Sequence, residues 1–267
     1  MIIETFKKLV SRSDDEIDWI VTDLISSGEW TFLVGESGVG KSMLLIQMCH
    51  SIQYGKPFLG MTCPPRNCLY IQVDVAQREW RHQIKSVTGT DSMAWTMYSV
   101  ANNFLDSSVE LERIRKVIWA DYYSEDSPDN LAFRAVLKGQ QFGLVIFDVL
   151  NKMTVKDLNS KEGFSYVNSR LNSLTSRGEA EERESVHYIL VHHPSKSQKT
   201  GVDAGAGSSA FSNTCGTKIN MSKHLLSLEK SKVIVGKEIL IERLPSGGWK
   251  LKEEDEGDYD RYKDILG

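Results

Sequence analysis

The stretch GESGVGKS at residues 35–42 has the residue types and spacing to hold a phosphate chain. It matches G-x-x-x-x-G-K-[ST] in full, with the apolar run WTFLV before it and MLLIQMCHSI after it, as a strand–loop–helix phosphate site requires. Gly35, Gly38 and Gly40 let successive main-chain N–H groups turn inward around an anion. A helix opening near Lys41 adds its positive N-terminal end. Lys41 is placed to reach the β- and γ-phosphates, and Ser42 to offer its hydroxyl to a metal. The expected nucleotide-binding segment is Gly35, Glu36, Ser37, Gly38, Val39, Gly40, Lys41, Ser42 and Met43, with ATP and Mg2+ as cofactors. Asp148, which ends the apolar run GLVIFD, is the expected carboxylate for the metal, a strand-ending or helix-capping Asp being the plainer alternative. Hydrolysis also needs a group that polarises the attacking water. Asp74, at the end of LYIQVD, is the first candidate and Glu79 in AQREW the second, with a merely structural Asp as the alternative.

Those side chains need a scaffold that brings strand ends together. WTFLV predicts a strand into the glycine loop and residues 41–53 a helix. NCLYIQVD (67–74), FGLVIFD (142–148) and VHYILVHH (186–193) predict three more strands, each ending in polar residues. Helical patterns in SSVELERIRKVIWADYY and FSYVNSRLNSLTS separate them. Strands that are apolar throughout, alternating with helices, predict an α/β fold with a mostly parallel sheet covered on both faces. Ligands of such sheets bind beyond the carboxyl ends of the strands. Residues 1–28 read as a leader or subunit-contact segment, with Ile17, Ile20, Val21 and Leu24 at helical spacing. The ATPase core is expected over 29–250, closing in a C-terminal antiparallel β extension with a turn at PSGG. Residues 251–267 read as an acidic, flexible tail.

Bulk composition narrows the class. With 40% apolar and 25% charged residues, 267 residues can bury an ordinary core. The net charge of −4 excludes a uniformly basic nucleic-acid binder but leaves room for a local basic groove. No apolar stretch reaches the length of a membrane span, and MIIETFKKLVSRSDDE has no secretory core. Cys49, Cys63, Cys68 and Cys215 are scattered, and CPPRNC lacks a second ligand pair for zinc. A cytoplasmic location is the expectation.

Together these stretches resemble the RecA-like P-loop ATPases, and within them the RepA-type replicative helicase branch of plasmids and phages. DWIVTDLISSGEWTFLVGESGVGKSMLLIQMCHSIQYGKPFLG resembles that branch's entry, P-loop and first helix. NCLYIQVDVAQREWRHQI, GLVIFDVLNKM and ILVHHPSKS followed by GAGSSA resemble its next strands and mobile loop. The similarity covers about residues 16–245. The P-loop is shared by many families, and the HHPSK…GSSA combination is more selective. The resemblance implies that His193 is a γ-phosphate sensor at a strand tip. Adjacent strand residues face opposite ways, which argues against His192 and His193 sharing a metal. It also implies that Lys230 and Lys232 in LEKSK reach a neighbouring subunit's ATP, where a cation stabilises the transferring phosphoryl group. Spacing of two on a strand puts both on one face.

Three departures stand out. Asp74 replaces the family's usual Glu. Ala206 and Gly207 stand where an Arg often precedes GSS. Lys232 replaces a common Arg and gives up the bidentate fork. Modest turnover is expected.

Two loops follow the strand tips. NKMTVKDLNSKEG carries Lys152, Lys156 and Lys161, and residues 194–216, rich in Gly and Ser, carry Lys196 and Lys199. The resemblance implies that both face single-stranded DNA, with lysines and main-chain N–H groups suited to phosphates rather than bases. The leading expectation is therefore an ATP-driven motor on single-stranded DNA, a hexameric ring helicase. A filament-forming recombinase or annealing ATPase and a nucleotide-gated switch without translocation are the alternatives. The acidic tail is a candidate contact for a replication partner or a competitor of DNA.

Overall fold

A computed structural model describes residues 17–28, 30–73, 75–90, 96–99, 102–118, 142–158, 160–175, 186–193, 215–234 and 236–252. In chain order these form β1 (Trp19–Val21), β2 (Ile25–Ser26), β3 (Trp30–Val34), α1 (Lys41–Tyr54), β4 (Asn67–Gln72), α2 (Gln77–Thr88), β5 (Thr96–Ser99), α3 (Ser108–Ile118), β6 (Phe142–Asp148), α4 (Lys161–Thr175), β7 (His187–His192), β8 (Thr217–Met221), β9 (Leu225–Lys230), β10 (Lys237–Arg243) and β11 (Trp249–Leu251). Short 3-10 turns stand at Phe104–Asp106 and Leu150–Lys152.

Among the described residues, nine strands make one sheet in the order β11-β10-β9-β8-β3-β7-β6-β4-β5. From β8 to β5 every pairing is parallel, and β9, β10 and β11 add on antiparallel. β7 lies between the P-loop strand β3 and the Asp148 strand β6, so the two chemical strand ends are separated by one strand that ends in His192, with His193 the next residue.

The parallel strands read as unbroken apolar runs because each face has its own core. Leu33, Tyr70, Leu144, Ile146, Ile189 and Val191 pack on the α1 and α2 side. Phe32, Val34, Leu69, Ile71, Val145, Phe147, Tyr188 and Leu190 pack on the α3 and α4 side. α1 is buried almost all round at Leu44, Leu45, Ile46, Met48, Cys49 and Ile52. The sheet covers one flank, while Leu24, Ile25 and Trp249 close others. Gly55, at φ 60°, ends it, and the Lys56 N–H donates to Ser51 O at 2.8 Å.

Three expectations change. The apolar residues of 17–24 form no helix: Trp19–Val21 pairs antiparallel with Ile25–Ser26, Trp19 opposite Ser26, through a turn that sets Asp23 at φ 56°. Ile20, Val21, Leu24 and Ile25 are all buried, and a short apolar pattern fits either geometry until the surface beneath it is known. The strand expected to run to residue 74 ends at Gln72, and the one expected over 186–193 spans His187–His192. β5 and β8 were not legible, being short and of mixed polarity. No helix among the described residues is long and apolar enough to cross a membrane.

Candidate nucleotide site

The glycine loop is shaped by what surrounds it. Gly38 and Gly40 have φ of 78° and 102°, where a side chain would be strained. A Cβ on Gly35 would come within 2.4 Å of Met221 O at the end of β8, and one on Gly40 within 2.7 Å of the Trp249 ring. The antiparallel extension thus presses on the loop. It is tied to α1 by Gln47, whose amide donates to Trp249 O and accepts from the Trp249 N–H, both at 2.7 Å.

Lys41 is only 3% exposed. Its ammonium donates to Gly35 O (2.6 Å), Glu36 O (2.8 Å) and His193 Nδ1 (2.9 Å). A neutral His193 ring that accepts at Nδ1 carries its proton on Nε2. Burial lowers the Lys41 pKa to about 8, against the opposing pull of Asp148 and then Glu36. A buried cation held by carbonyls and an imidazole is a site for an anion, since a phosphate would restore the charge balance that burial removes.

Ser42 Oγ donates to Asp148 Oδ2 at 2.6 Å, joining the start of α1 to the end of β6. Hydroxyl and carboxylate are hard oxygen donors of the kind Mg2+ takes beside substrate phosphates. They fit that ion, and when bound it would supply charge neutralisation at the phosphates. Tyr70 Oη also donates to Asp148 Oδ2 at 2.6 Å. Among the described residues, both bonds fall on that one oxygen.

The sequence matches the AAA_25 family, an AAA domain, over residues 4–199. The chain belongs to that family. No curated protein matches it. Among solved structures, this AAA_25 chain is similar to a KaiC-like protein of Pyrococcus horikoshii OT3, at 10% identity and a TM-score of 0.51 over 88% of this chain and 94% of that one. The flagellar accessory protein FlaH of Methanocaldococcus jannaschii aligns at 11% identity and a TM-score of 0.48 over 85% and 91%. The fold is RecA-like, and the AAA_25 chain is a RecA-like P-loop ATPase.

Other candidate residues lie as follows in this AAA_25 domain. His193 and His192 point to opposite faces: His193 meets Lys41, while His192 stacks on Phe32 with ring centroids 5.5 Å apart. Burial, then the nearby His193 and Lys41, hold the His192 pKa at about 4, so the ring is neutral. Glu79 is exposed in the first turn of α2, and no hydrogen bond or ion pair joins it to Lys41, Ser42 or Asp148. Asp74, Lys196, Lys199, Ala206, Gly207 and the acidic tail from residue 253 lie outside the described residues.

Lys230 and Lys232 do not share a strand face, because β9 ends at Lys230 and Lys232 sits in the bend beyond it. Lys230 is opposite Lys218, which is level with Phe32 of β3. β9 is antiparallel to β8, so at Lys230 the chain is heading away from the glycine loop. Lys152 and Lys156 are exposed in the segment after Asp148. That segment is not a free loop. Asp106 accepts from Thr154 Oγ1 (2.9 Å) and the Val155 N–H (2.8 Å), and Lys156 lies over the Tyr166 ring at 5.4 Å.

Sequence reasoning missed Tyr70, Gln72 and Trp249. The buried Gln72 amide folds back onto residue 75, donating to Val75 O and accepting from the Val75 N–H. A tyrosine inside an apolar strand was a usable signal, since a buried phenol needs a polar partner.

Proposed function

We propose that this RecA-like ATPase is a motor on single-stranded DNA, a ring-shaped helicase of the RepA type that hydrolyses ATP between subunits. The observation that carries the reading is the 2.9 Å contact from Lys41 to His193. It joins the phosphate-binding lysine to the residue from which the segment bearing Lys196 and Lys199 departs. A γ-phosphate competing for Lys41 would release or re-aim His193, and that change enters the segment at once. Lys152 and Lys156, exposed just beyond Asp148, give a second cationic segment beside the same strand tips.

In this reading Lys41 balances the phosphates, Ser42 and Asp148 hold Mg2+, and His193 reports the γ-phosphate. Asp74 orients water, with Glu79 as the alternate. Lys230 and Lys232 lead away from their own glycine loop, which favours action on a neighbouring copy and hence a closed ring, six subunits being the expected number. A replication partner would meet the acidic tail.

The switch reading has one observation in its favour. Lys232 lies beyond the end of β9, so the two-lysine arm lacks the rigid strand geometry that fast hydrolysis in trans would use.

Steady-state ATP hydrolysis with and without single-stranded DNA separates the two. A motor shows stimulation of several-fold or more that disappears in Lys41→Ala, and a strand-displacement assay then tests unwinding. A DNA-independent rate in the intact protein rejects the motor and leaves the switch.

A further inference from the structure

Tyr70 belongs to no motif, yet it reaches the centre of the site. Its Cα is level with Ile146 of the adjacent parallel strand, and Gln72 is level with Asp148. Tyr70 and Asp148 are therefore diagonal neighbours on one face, a separation that a phenol can bridge and an aliphatic side chain cannot. The ring is fully buried and is braced by Trp80, at 4.7 Å between centroids and 56° between planes. Trp80 lies in the first turns of α2 and is itself 1% exposed.

Asp148 Oδ2 receives Tyr70 Oη and Ser42 Oγ at the same short distance, 2.6 Å. Bonds to an ionised acceptor are the strong ones. Two of them on one oxygen fix the carboxylate's rotation and leave the lone pairs of Oδ1 outside both contacts. An ordinary phenol is protonated at neutral pH, and a carboxylate oxygen can only accept, so Tyr70 is the donor of this bond.

We infer that Tyr70 is the positioning residue for Asp148: its hydroxyl, braced by Trp80, orients the carboxylate that serves the divalent cation. This rests on the reading of Ser42 and Asp148 as the cation-holding pair. Outer partners of metal-serving groups typically change metal affinity or activity by about 10- to 100-fold when removed.

The test is Tyr70→Phe in the full chain, which keeps the ring against Trp80 and removes only the hydroxyl. Mn2+ is the probe, titrated by electron paramagnetic resonance into protein saturated with ADP. Binding of ADP in EDTA and the thermal unfolding midpoint are measured beside it. The expected result is a rise of about 10-fold in the Mn2+ dissociation constant, with metal-free ADP affinity unchanged. Trp80→Leu retains the hydroxyl but frees the ring, and a smaller loss of Mn2+ affinity is expected. Unchanged Mn2+ affinity in Tyr70→Phe overturns the inference and leaves the nucleotide-site reading intact. Equal losses of Mn2+ and metal-free ADP affinity also overturn it, as general damage. If the unaltered protein binds ADP but gains no Mn2+ site, the Ser42–Asp148 reading fails first and takes this one with it.

Discussion

His192 and His193 are adjacent in sequence and finish on opposite faces of the sheet. His193 meets the Lys41 ammonium at the strand tips. His192 stacks on Phe32 in a face that also holds Phe104, Phe147 and Tyr188, with Tyr188 against Trp30 at 5.1 Å. The P-loop face gathers a cation, a carboxylate and hydroxyls beyond its apolar floor. The opposite face is aromatic to its edge and keeps its imidazole neutral. Alternation along β6 and β7 makes both possible. Side chains that differ by one residue see different solvents, so one strand supplies chemistry upward and ballast downward.

Four changes test that division, in order of expected effect. Trp249→Ala removes the ring that touches Gly40 and should cost about 3–5 kcal/mol in chemical denaturation. A change within about 1 kcal/mol would mean that the extension does not support the glycine loop. Lys41→Ala should reduce ATP hydrolysis on the order of 10²–10³-fold, the scale of removing one preorganised electrostatic partner. It should leave unfolding stability unchanged or raised, because a buried cation is removed. A large loss of stability would instead make Lys41 a structural group.

The third change is pH. His187, hydrogen-bonded to Thr31 at 3.0 Å, has its pKa pushed down to about 3, chiefly by burial, and His192 to about 4. Both lie below the unfolded value of about 6.5. Between the folded and unfolded pKa values the unfolded chain binds more protons, so stability rises with pH there. It is complete above about pH 6.5 and is lost as the pH falls. Acidification from 6.5 to 5 should cost about 2 kcal/mol per ring, read from unfolding midpoints. His192→Phe should remove its share of that slope, and an unaltered slope would reject the assignment. The smallest effect crosses the two faces directly. His193→Ala should slow ATP hydrolysis about 10-fold, equivalent to about 1.4 kcal/mol, whereas His192→Phe should leave the rate near that of the parent. Equal rate losses in both would erase the distinction between the faces.

Much of the site could be read from the chain because its geometry is local. Glycines at positive φ, a helix start at Lys41 and apolar strands ending in Asp148 and His192 each depend on a few consecutive residues, so spacing alone carried the phosphate site and the parallel α/β order. Distant packing decided the rest. Residues 19–26 pair as β1 and β2 because the surface beside α1 accepts a hairpin. Trp249 meets Gly40 only because three antiparallel strands bring residue 249 back to residue 40. Tyr70 finds Asp148 through the register of β4 against β6. No short stretch of sequence encodes a register or a return path: both are set by which apolar faces bury one another once the whole sheet is assembled.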